Sequence, residues 1–529
     1  EVAIKDKIVI DVVLIAAVYE LEENIVIGYG GTHKVKHMET AMPSLTGGGL
    51  YYADQSWSMT PDFNTEGYST VHENGYKEVM NQPLSTFSID VDRASYANIR
   101  RFINMGQLPP KDAVRIEEMI NYFSYDYPQP QGNDPFALTA EVGPSPFHQE
   151  YLLARIGLKA RDLAKEQLPS SNLVFLIDVS GSMQDDNKLP LLQRALPLLV
   201  RQLDSHDRVS MVVYAGADSV VLPPTAGNRQ QEIIAAIDRL RAGGSTHASS
   251  GIRTAYQLAR QSFIPGGNNR VILASDGDFN VGVTSRDELA RLIEQERKDG
   301  VYLTVLGLGM GNYHDDTMEI LADKGNGNYA YIDTLLEANK VLVKEMSGTL
   351  FALANDVKIQ VEFNPARVGA YRLIGYENRA LADEDFKDDS KDAGEVGVGH
   401  RVTALYELIP GGHKTVPQLD PLKYQSVKPA AAEVSDELMT VKLRYKPQGK
   451  SSSEQISLAV NEARRHPSVD FRFAAAVAGY GMLLTHSPHL GDFTWEHCLR
   501  MAREGRGQDG EGYRAEFYRL VEMSELLAR

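Results

Sequence analysis

The feature that most constrains the fold is a rhythm of short apolar runs and amphipathic segments between residues 172 and 349. The apolar runs NLVFLID, RVSMVVYAG, RVILASD, VYLTVLGLG and YAYID alternate with segments such as KLPLLQRALPLLVRQL and DELARLIEQERKD. Runs that are apolar on both faces are typical of parallel strands covered by helices on both sides. The rhythm therefore predicts an α/β domain built on a doubly wound, mostly parallel sheet.

Strand-like alternation occurs on both sides of this domain. FALTAEV and YLLARIGLK precede it, and VKIQVEF, YRLIGYE, HRVTALYELI and LMTVKLRYK follow it. Neither flank alone provides a full sheet, so we expect one β-sandwich into which the α/β domain is inserted. Helices are expected in YANIRRFINMGQLPP and VRIEEMINYFSYDYP, and again in the tail of the chain.

Composition excludes several classes of protein. The chain has 529 residues, 43% of them hydrophobic, and a formal net charge of -17, which argues against a broad surface for nucleic acid or anionic membranes. Its longest apolar stretches, 8–18 and 473–484, are shorter than the ~20 residues that cross a bilayer, so no membrane span is predicted in this chain. The single cysteine, Cys498, excludes an intramolecular disulfide and a cysteine-based zinc site.

Side chains that carry oxygen follow three of the predicted strands and loops. Asp178, Ser180 and Ser182 stand in FLIDVSGSM, Thr246 follows a glycine loop in GGSTHASSGI, and Asp276 ends VILASD. The carboxyl ends of strands in an open parallel sheet form its ligand crevice, and oxygen ligands suit a hard cation. These five residues therefore predict a site for Mg²⁺, with Mn²⁺ or Ca²⁺ as alternatives. The competing explanation is that Asp178 and the serines only cap the first helix.

These motifs also resemble a known family. DVSGSM, the threonine of GGST and the aspartate of SDGD, in this order, are similar to the metal-ion-dependent adhesion site of a von Willebrand factor type A domain. From about residue 62 to 527, strings such as NQPLSTFSIDVDRASYANIRRF, ENRALADEDF and DFRFAAAVAGYGMLL resemble one bacterial family that carries such a domain. Residues 1–31 resemble the end of a carboxypeptidase regulatory-like β-sandwich of Bacteroidetes envelope proteins. His247 departs from the small residues expected beside Thr246.

The resemblances and the strand pattern together divide the chain into six predicted parts. They are 1–31, the end of a regulatory-like β-sandwich; 32–82, a linker or wrapping segment; 83–170, a family-specific N-terminal region of two helices and then strands; 171–350, the type A domain; 351–450, a β-sandwich completed by strands from 136–160; and 451–529, a C-terminal helical region.

The resemblance implies a binding protein rather than an enzyme. In type A domains the metal keeps one position open, and an acidic residue of a protein partner completes its coordination. The fragment 1–31 implies the cell envelope, either the periplasm or the outer-membrane surface, with a lipid anchor on a missing N-terminal part as one means of attachment. Alternative functions are a structural scaffold, a regulator working with an ATPase, or a Mg²⁺-dependent hydrolase. The hydrolase is disfavoured because Ser180 stands where phosphatases of the haloacid dehalogenase type need a second aspartate.

Three other groups of residues are weaker candidates. Asp90, Asp92 and Ser95 are expected to cap the following helix, with a second cation site as the alternative. The acidic loop 382–395 is expected to be solvated, with Ca²⁺ binding as the alternative. The histidines His486, His489 and His497 are expected to be surface or capping residues rather than zinc ligands.

Overall fold

The structure is a computed structural model that describes residues 66–215, 217–244, 248–277, 286–311, 313–346, 348, 351–389, 393–416, 435–450, 452–461 and 466–529. These ranges belong to one compact unit that begins at Pro61. The fragment 1–31 and most of the predicted linker lie outside the described residues, and so does Thr246.

The described chain begins with four strands, which belong to two different sheets, and with two helices. In order they are β1 (Lys77–Glu78), β2 (Leu84–Ser88), α1 (Ala94–Asn104), α2 (Ile116–Tyr122), β3 (Phe136–Pro144) and β4 (Leu152–Ala160). Both predicted helices are present. The chain turns after α1 at Gly106, whose φ of 75° is accessible to glycine at little cost, and α2 follows a short 3-10 helix over Lys111–Ala113.

The α/β domain follows β4. Its elements are β5 (Ser171–Asp178), α3 (Leu189–Val200), β6 (Arg208–Ala215), β7 (Ala217–Ala226), α4 (Gln230–Asp238), α5 (Ala248–Gln261), β8 (Asn268–Ser275), α6 (Arg286–Glu296), β9 (Tyr302–Gly307), α7 (Asp315–Lys324), β10 (Tyr329–Tyr331) and α8 (Leu335–Asn339).

These strands form one sheet in the order β10-β9-β8-β5-β6-β7. All neighbours are parallel except β7, which runs antiparallel to β6 at the edge. Alternate residues of β5 enter separate cores on the two faces: Phe175 lies in one and Leu176 in the other. The predicted fold class, a doubly wound and mostly parallel sheet, is confirmed.

The chain then forms most of a β-sandwich. A π-helical stretch, Lys340–Lys344, continues α8, and the strands that follow are β11 (Ala352–Phe363), β12 (Val368–Ile374), β13 (Ala380–Leu381), β14 (Val396–Gly397), β15 (Arg401–Pro410), β16 (Met439–Pro447) and β17 (Glu454–Val460). One antiparallel sheet has the order β1-β12-β15-β4-β3 and the other β13-β2-β11-β16-β17, with β14 paired to β11. Their inner faces share one core, in which the rings of Phe363 and Tyr371 stack at 4.1 Å. The α/β domain is thus inserted in this sandwich, between β4 and β11.

Three helices complete the described chain: α9 (Val469–Thr485), α10 (Trp495–Glu504) and α11 (Tyr513–Ala528). The hydroxyl of Ser468 caps α9 by accepting from the backbone N–H of Phe471 at 3.1 Å. α9 is apolar on every side because α2, α10 and α11 share its core, and it is buried from Phe473 to Leu484 without interruption.

Strand pairing corrects the predicted boundaries in three places. Residues 66–82 are no simple linker: the backbone of Gly67 bonds to Tyr313 and Asp315, and β1 pairs with β12. β2 precedes the two helices of the N-terminal region and pairs with β11, more than 260 residues later. β17 lies in the region predicted to be helical, where it forms a partly exposed edge strand. Local patterns do not reveal β1 and β2, because their partners are remote in sequence, whereas β17 pairs with the preceding strand β16.

Candidate functional site

The two predicted aspartates meet where the order of the sheet reverses. β5 and β8 are parallel neighbours, so their carboxyl ends lie at the same edge. Asp178 is the last residue of β5, and Asp276 directly follows β8. Their exposed fractions are 0% and 1%. Two buried carboxylates thus face the crevice in which doubly wound sheets bind ligands.

Hydrogen bonds fix the orientation of Asp178. Its Oδ1 accepts from the backbone N–H of Ser180 at 2.9 Å, and its Oδ2 accepts from the Ser275 hydroxyl at 3.0 Å. Burial raises the pKa of Asp178 to about 6, the charge of Asp276 adds to this rise, and the hydrogen bonds from Ser180 and Ser275 oppose it. A buried carboxylate held in this way favours a nearby positive charge.

The two predicted serines lie side by side. Ser180 Oγ and Ser182 Oγ are 3.0 Å apart, because a short 3-10 helix over Gly181–Gln184 turns the chain back after β5. The backbone N–H of Gly181 donates to the carbonyl of Gly244 at 3.1 Å. This bond ties the serine loop to the glycine loop that precedes Thr246.

The structure adds a residue that the sequence analysis did not assign to the site. Lys188 is 4% exposed, and its Nζ donates to Asp276 Oδ2 at 3.0 Å. A second carboxylate, that of the exposed Asp185, lies 3.7 Å from the same nitrogen. The stem of Lys188 packs on Gly309, where a Cβ would stand 2.2 Å from Lys188 Cε. Glycine at 309 therefore leaves room for the lysine.

The explanation of this motif as a helix cap is wrong. The 3-10 helix has Ser180 at its N-cap and α3 has Lys188, and neither helix is capped by a side chain. Asp178 instead closes the loop by accepting from the backbone N–H of Ser180. The serines and Asp178 are thus free of a capping role at these two helices.

The oxygen atoms present fit a small divalent cation. The Ser180 and Ser182 hydroxyls share a hydrogen bond of 3.0 Å, and adjacent ligands about 2.1 Å from an octahedral Mg²⁺ also stand about 3.0 Å apart, so both oxygens could join one cation without moving apart. Within the described ranges, no three His, Cys, Asp or Glu side chains come together in a way that could hold a metal ion. The predicted ligand set has two carboxylates and three hydroxyls, so it contains no such trio.

Asp90 and Asp92 do not cap the helix that follows them, since α1 has Arg93 at its N-cap and no side-chain cap. Asp92 instead accepts from the backbone N–H of Tyr329 at 3.0 Å and from Arg379 at 3.0 Å. It belongs to a buried polar cluster, here called the Glu319 cluster, formed by Asp92, Arg115, Glu118, Asp315, Glu319 and Arg379.

The Glu319 cluster joins three parts of the molecule. Glu319 lies on α7, and it pairs with Arg115, just before α2, at 3.1 Å and with Arg379, beyond β12, at 3.3 Å. Burial raises the pKa of Glu118 to about 8 and that of Asp315 to about 7, in both cases with help from Glu319. Each arginine pairs with two carboxylates of the cluster. The Glu319 cluster therefore connects the three parts of the molecule.

Among the described residues, the remaining candidates do not form a group of three His, Cys, Asp or Glu side chains that could hold a metal ion. In the acidic loop, of which 390–392 are not described, Asp389 pairs with Arg444 at 2.8 Å and Asp383 accepts from Thr86 at 2.9 Å. His486 ends α9 with a φ of 55°, and His497 lies in the first turn of α10. The ring of His489 stands edge-on to that of Tyr76.

Three family models match successive parts of the chain. The model described as von Willebrand factor matches residues 62–155, that of the von Willebrand factor type A domain matches 172–345, and that of the C-terminal part of the uncharacterized protein YfbK matches 348–527. Among the described residues, no helix is long and apolar enough to cross a membrane.

Individual proteins match as well. The uncharacterized protein YfbK of Escherichia coli is 45% identical over 470 residues, which cover 87% of this chain and 81% of that protein. The magnesium-chelatase 67 kDa subunit of Chlorobaculum tepidum is 26% identical over 30% of this chain and 28% of its own length. A solved von Willebrand factor type A protein from Catenulispora acidiphila aligns with 71% of this chain and 88% of its own, at 15% identity and a TM-score of 0.42.

Proposed function

Because the chain belongs to the YfbK family of proteins with a von Willebrand factor type A domain, we propose that it binds a protein partner through a divalent cation. Type A domains typically mediate protein interactions, and here we propose that a bound cation provides the contact. The cation, Mg²⁺ in the first instance and otherwise Mn²⁺ or Ca²⁺, is held by Asp178, Ser180, Ser182 and Asp276, with Thr246 as the fifth ligand.

The observation that carries the proposal is that two buried carboxylates and two adjacent serine hydroxyls come together where the order of the sheet reverses. The hydroxyl oxygens are 3.0 Å apart, and both aspartates are almost fully buried. Buried charge of one sign is costly without a counter-charge, and a hard cation with oxygen ligands provides it.

Lys188 favours an acidic partner. Its ammonium group balances one of the two carboxylates by pairing with Asp276 at 3.0 Å. Among the buried groups Lys188, Asp178 and Asp276, a divalent cation therefore leaves one net positive charge, which the exposed Asp185, 3.7 Å from the lysine, offsets only through solvent. This charge attracts a carboxylate from another protein and repels a basic residue. We accordingly propose a partner that presents an aspartate or glutamate to the metal.

We propose binding rather than catalysis as the role of this site. The buried lysine does not reach toward a phosphoryl nucleophile, since it is paired with Asp276, and Ser180 occupies the position of a second catalytic aspartate. A location in the cell envelope stays a prediction that rests on residues 1–31. Fractionation of the source cells, with the chain detected in the envelope or in the cytosol, tests it.

The binding proposal is tested by partner capture with the full chain. Immobilised wild type, Asp178→Asn and the matched control Asp238→Asn, at an exposed position on α4, are exposed to extract in Mg²⁺ or in chelator. We expect the same proteins to be retained by wild type and Asp238→Asn in Mg²⁺, and to be lost with chelator or in Asp178→Asn.

Other outcomes identify the alternatives. Retention that ignores both chelator and Asp178→Asn contradicts the proposal. A rise in thermal stability with Mg²⁺ that is not accompanied by any metal-dependent retention indicates a scaffold whose metal only stiffens the domain.

A further inference from the structure

A cavity of about 520 Å³ lies where the three parts of the described chain meet. Its walls come from the end of the type A domain at Lys340–Glu345, the start of β15, the loop and first turn of α11, and the residues that follow α2. The volume lies in the range of small-molecule sites. We call it the basic cavity, after the side chains Arg93, Lys340, Lys344, Arg401 and Arg514 that line it.

The basic cavity is positively charged in a chain whose net charge is -17. The five cations are accompanied by three acidic residues, Glu345, Asp509 and Glu511. Arg93 and Lys340 both pair with Glu345, at 2.6 and 2.9 Å. Burial works against ionisation of Glu345, but these two charges outweigh it and lower its pKa to about 2. Glu345 is thus a fixed anion that is already matched by two cations.

Arg401 has no such match. Its Nε is buried without a hydrogen-bond partner, and its guanidinium forms no ion pair with any residue in the part of the chain that the structure describes. The neighbouring His400 adds no charge, because burial and the charge of Arg93 lower its pKa to about 3. Arg401 is half-buried at the cavity wall, and a guanidinium that is partly withdrawn from water without a carboxylate beside it favours an anion in the adjacent space.

Aromatic rings complete the wall. Tyr122, Phe123 and Tyr513 line the same cavity, with Tyr513 partly exposed and the other two almost fully buried, and the Lys340 ammonium lies 3.8 Å from the centre of the Tyr122 ring. Rings beside cations suit a ligand that carries an apolar part as well as an anionic group. A bare inorganic ion uses only the charged half of such a wall.

We propose that the basic cavity binds a small organic anion whose phosphate or carboxylate group pairs with Arg401. Guanidinium groups hold both kinds of group through paired N–H donors. The ligand joins side chains from the type A domain, the β-sandwich and the C-terminal helices. The proposal is independent of the metal site, because none of the described residues assigned to the metal, Asp178, Ser180, Ser182 and Asp276, lines this cavity.

Calorimetric titration of the full chain tests the proposal with three probes: phenyl phosphate, benzoate and inorganic phosphate. We expect saturable binding of phenyl phosphate or benzoate, stronger than that of inorganic phosphate. Arg401→Gln is expected to weaken it roughly tenfold or more, because a charge-assisted hydrogen bond is lost. The matched control is Arg239→Gln, at an exposed position outside the cavity, and it should bind as the wild type does.

The probes also distinguish the two sources of the anion: preference for phenyl phosphate indicates a phosphorylated ligand, and preference for benzoate a carboxylic acid. Lys344→Gln, at a half-exposed position of the same wall, gives a second variant should Arg401→Gln fail to fold, and a weakening by it supports the proposal equally. Absence of binding by all three probes at about 1 mM, or equal binding by every variant, would overturn the proposal.

Discussion

Two groups of buried carboxylates in this molecule are balanced in different ways. In the Glu319 cluster the counter-charges are Arg115 and Arg379, which come from other parts of the chain and contact Glu319 directly. At the strand ends, Lys188 pairs with Asp276, whereas Asp178 accepts from the backbone N–H of Ser180 and the hydroxyl of Ser275, which are donors without charge. The ion pairs of the Glu319 cluster hold separate parts of the chain together. The carboxylates at the strand ends favour a bound cation, as the proposed binding site requires.

The largest effect on stability is expected from removing a guanidinium from the Glu319 cluster. Arg379→Met leaves the buried Asp92 and Glu319, and the partly exposed Asp323, without the cation that they share. Such a loss costs about 3–5 kcal/mol, measured as the free energy of urea unfolding. The control Arg367→Met, which removes an exposed pair with Asp436, should cost less than about 1 kcal/mol. Equal losses of stability in the two variants would contradict the stabilising role of the Glu319 cluster.

The second effect is a dependence of stability on pH. The pKa of Glu118 is about 8 in the folded chain against an ordinary value of 4.5, so it stays protonated when folded. Its contribution is complete below about pH 4.5 and is lost as the pH rises through about 8. We expect the urea midpoint to fall between pH 6 and pH 9, and Glu118→Gln to reduce that slope. A slope unchanged by Glu118→Gln would show that the cluster does not titrate in this way.

At the strand ends, we expect removal of Lys188 to increase the affinity for Mg²⁺. Lys188→Met removes the positive charge beside Asp276, so the site repels a divalent cation less. We expect Mg²⁺ to bind roughly tenfold more tightly, as measured by calorimetry. Lys442→Met, which removes a lysine paired with Glu362 elsewhere, is the control and should leave Mg²⁺ affinity unchanged. Weaker Mg²⁺ binding by Lys188→Met would mean that the lysine organises the site.

The smallest effect is expected from one hydroxyl. Ser182→Ala removes a single neutral ligand at a half-exposed position, so Mg²⁺ affinity should fall a few-fold, by about 1 kcal/mol or less, with no change in the urea midpoint. Ser180→Ala, at the buried position of the pair, should weaken Mg²⁺ binding more. The reverse order in the same titration would contradict the assigned geometry.

The sequence predicts the parts of this structure whose causes are local. Asp178 and Asp276 come together because each ends an apolar parallel strand, and Ser180 and Ser182 follow within one turn. Lys188 was missed as a site residue because its stem crosses to Gly309, a contact that no local pattern records. The one available signal is its place directly before α3, at the same edge of the sheet.

Local sequence patterns do not predict the contacts between the parts of the chain. β1 and β2 are strands because of partners far away in the chain. The Glu319 cluster brings together Asp92, Glu319 and Arg379 from three separate regions. Sequence alone indicates that each of these residues is charged, but only the folded chain shows that they neutralise one another.

The central claim is that the strand-end site takes up a divalent cation through Asp178. Calorimetric titration of Mg²⁺ into the chelator-stripped full chain tests it most directly, with Asp178→Asn and the exposed control Asp238→Asn measured alongside. The account predicts saturable binding of one Mg²⁺ by the wild type and the control, and loss of that binding in Asp178→Asn. Equal binding by Asp178→Asn, or no binding by the wild type, would contradict it.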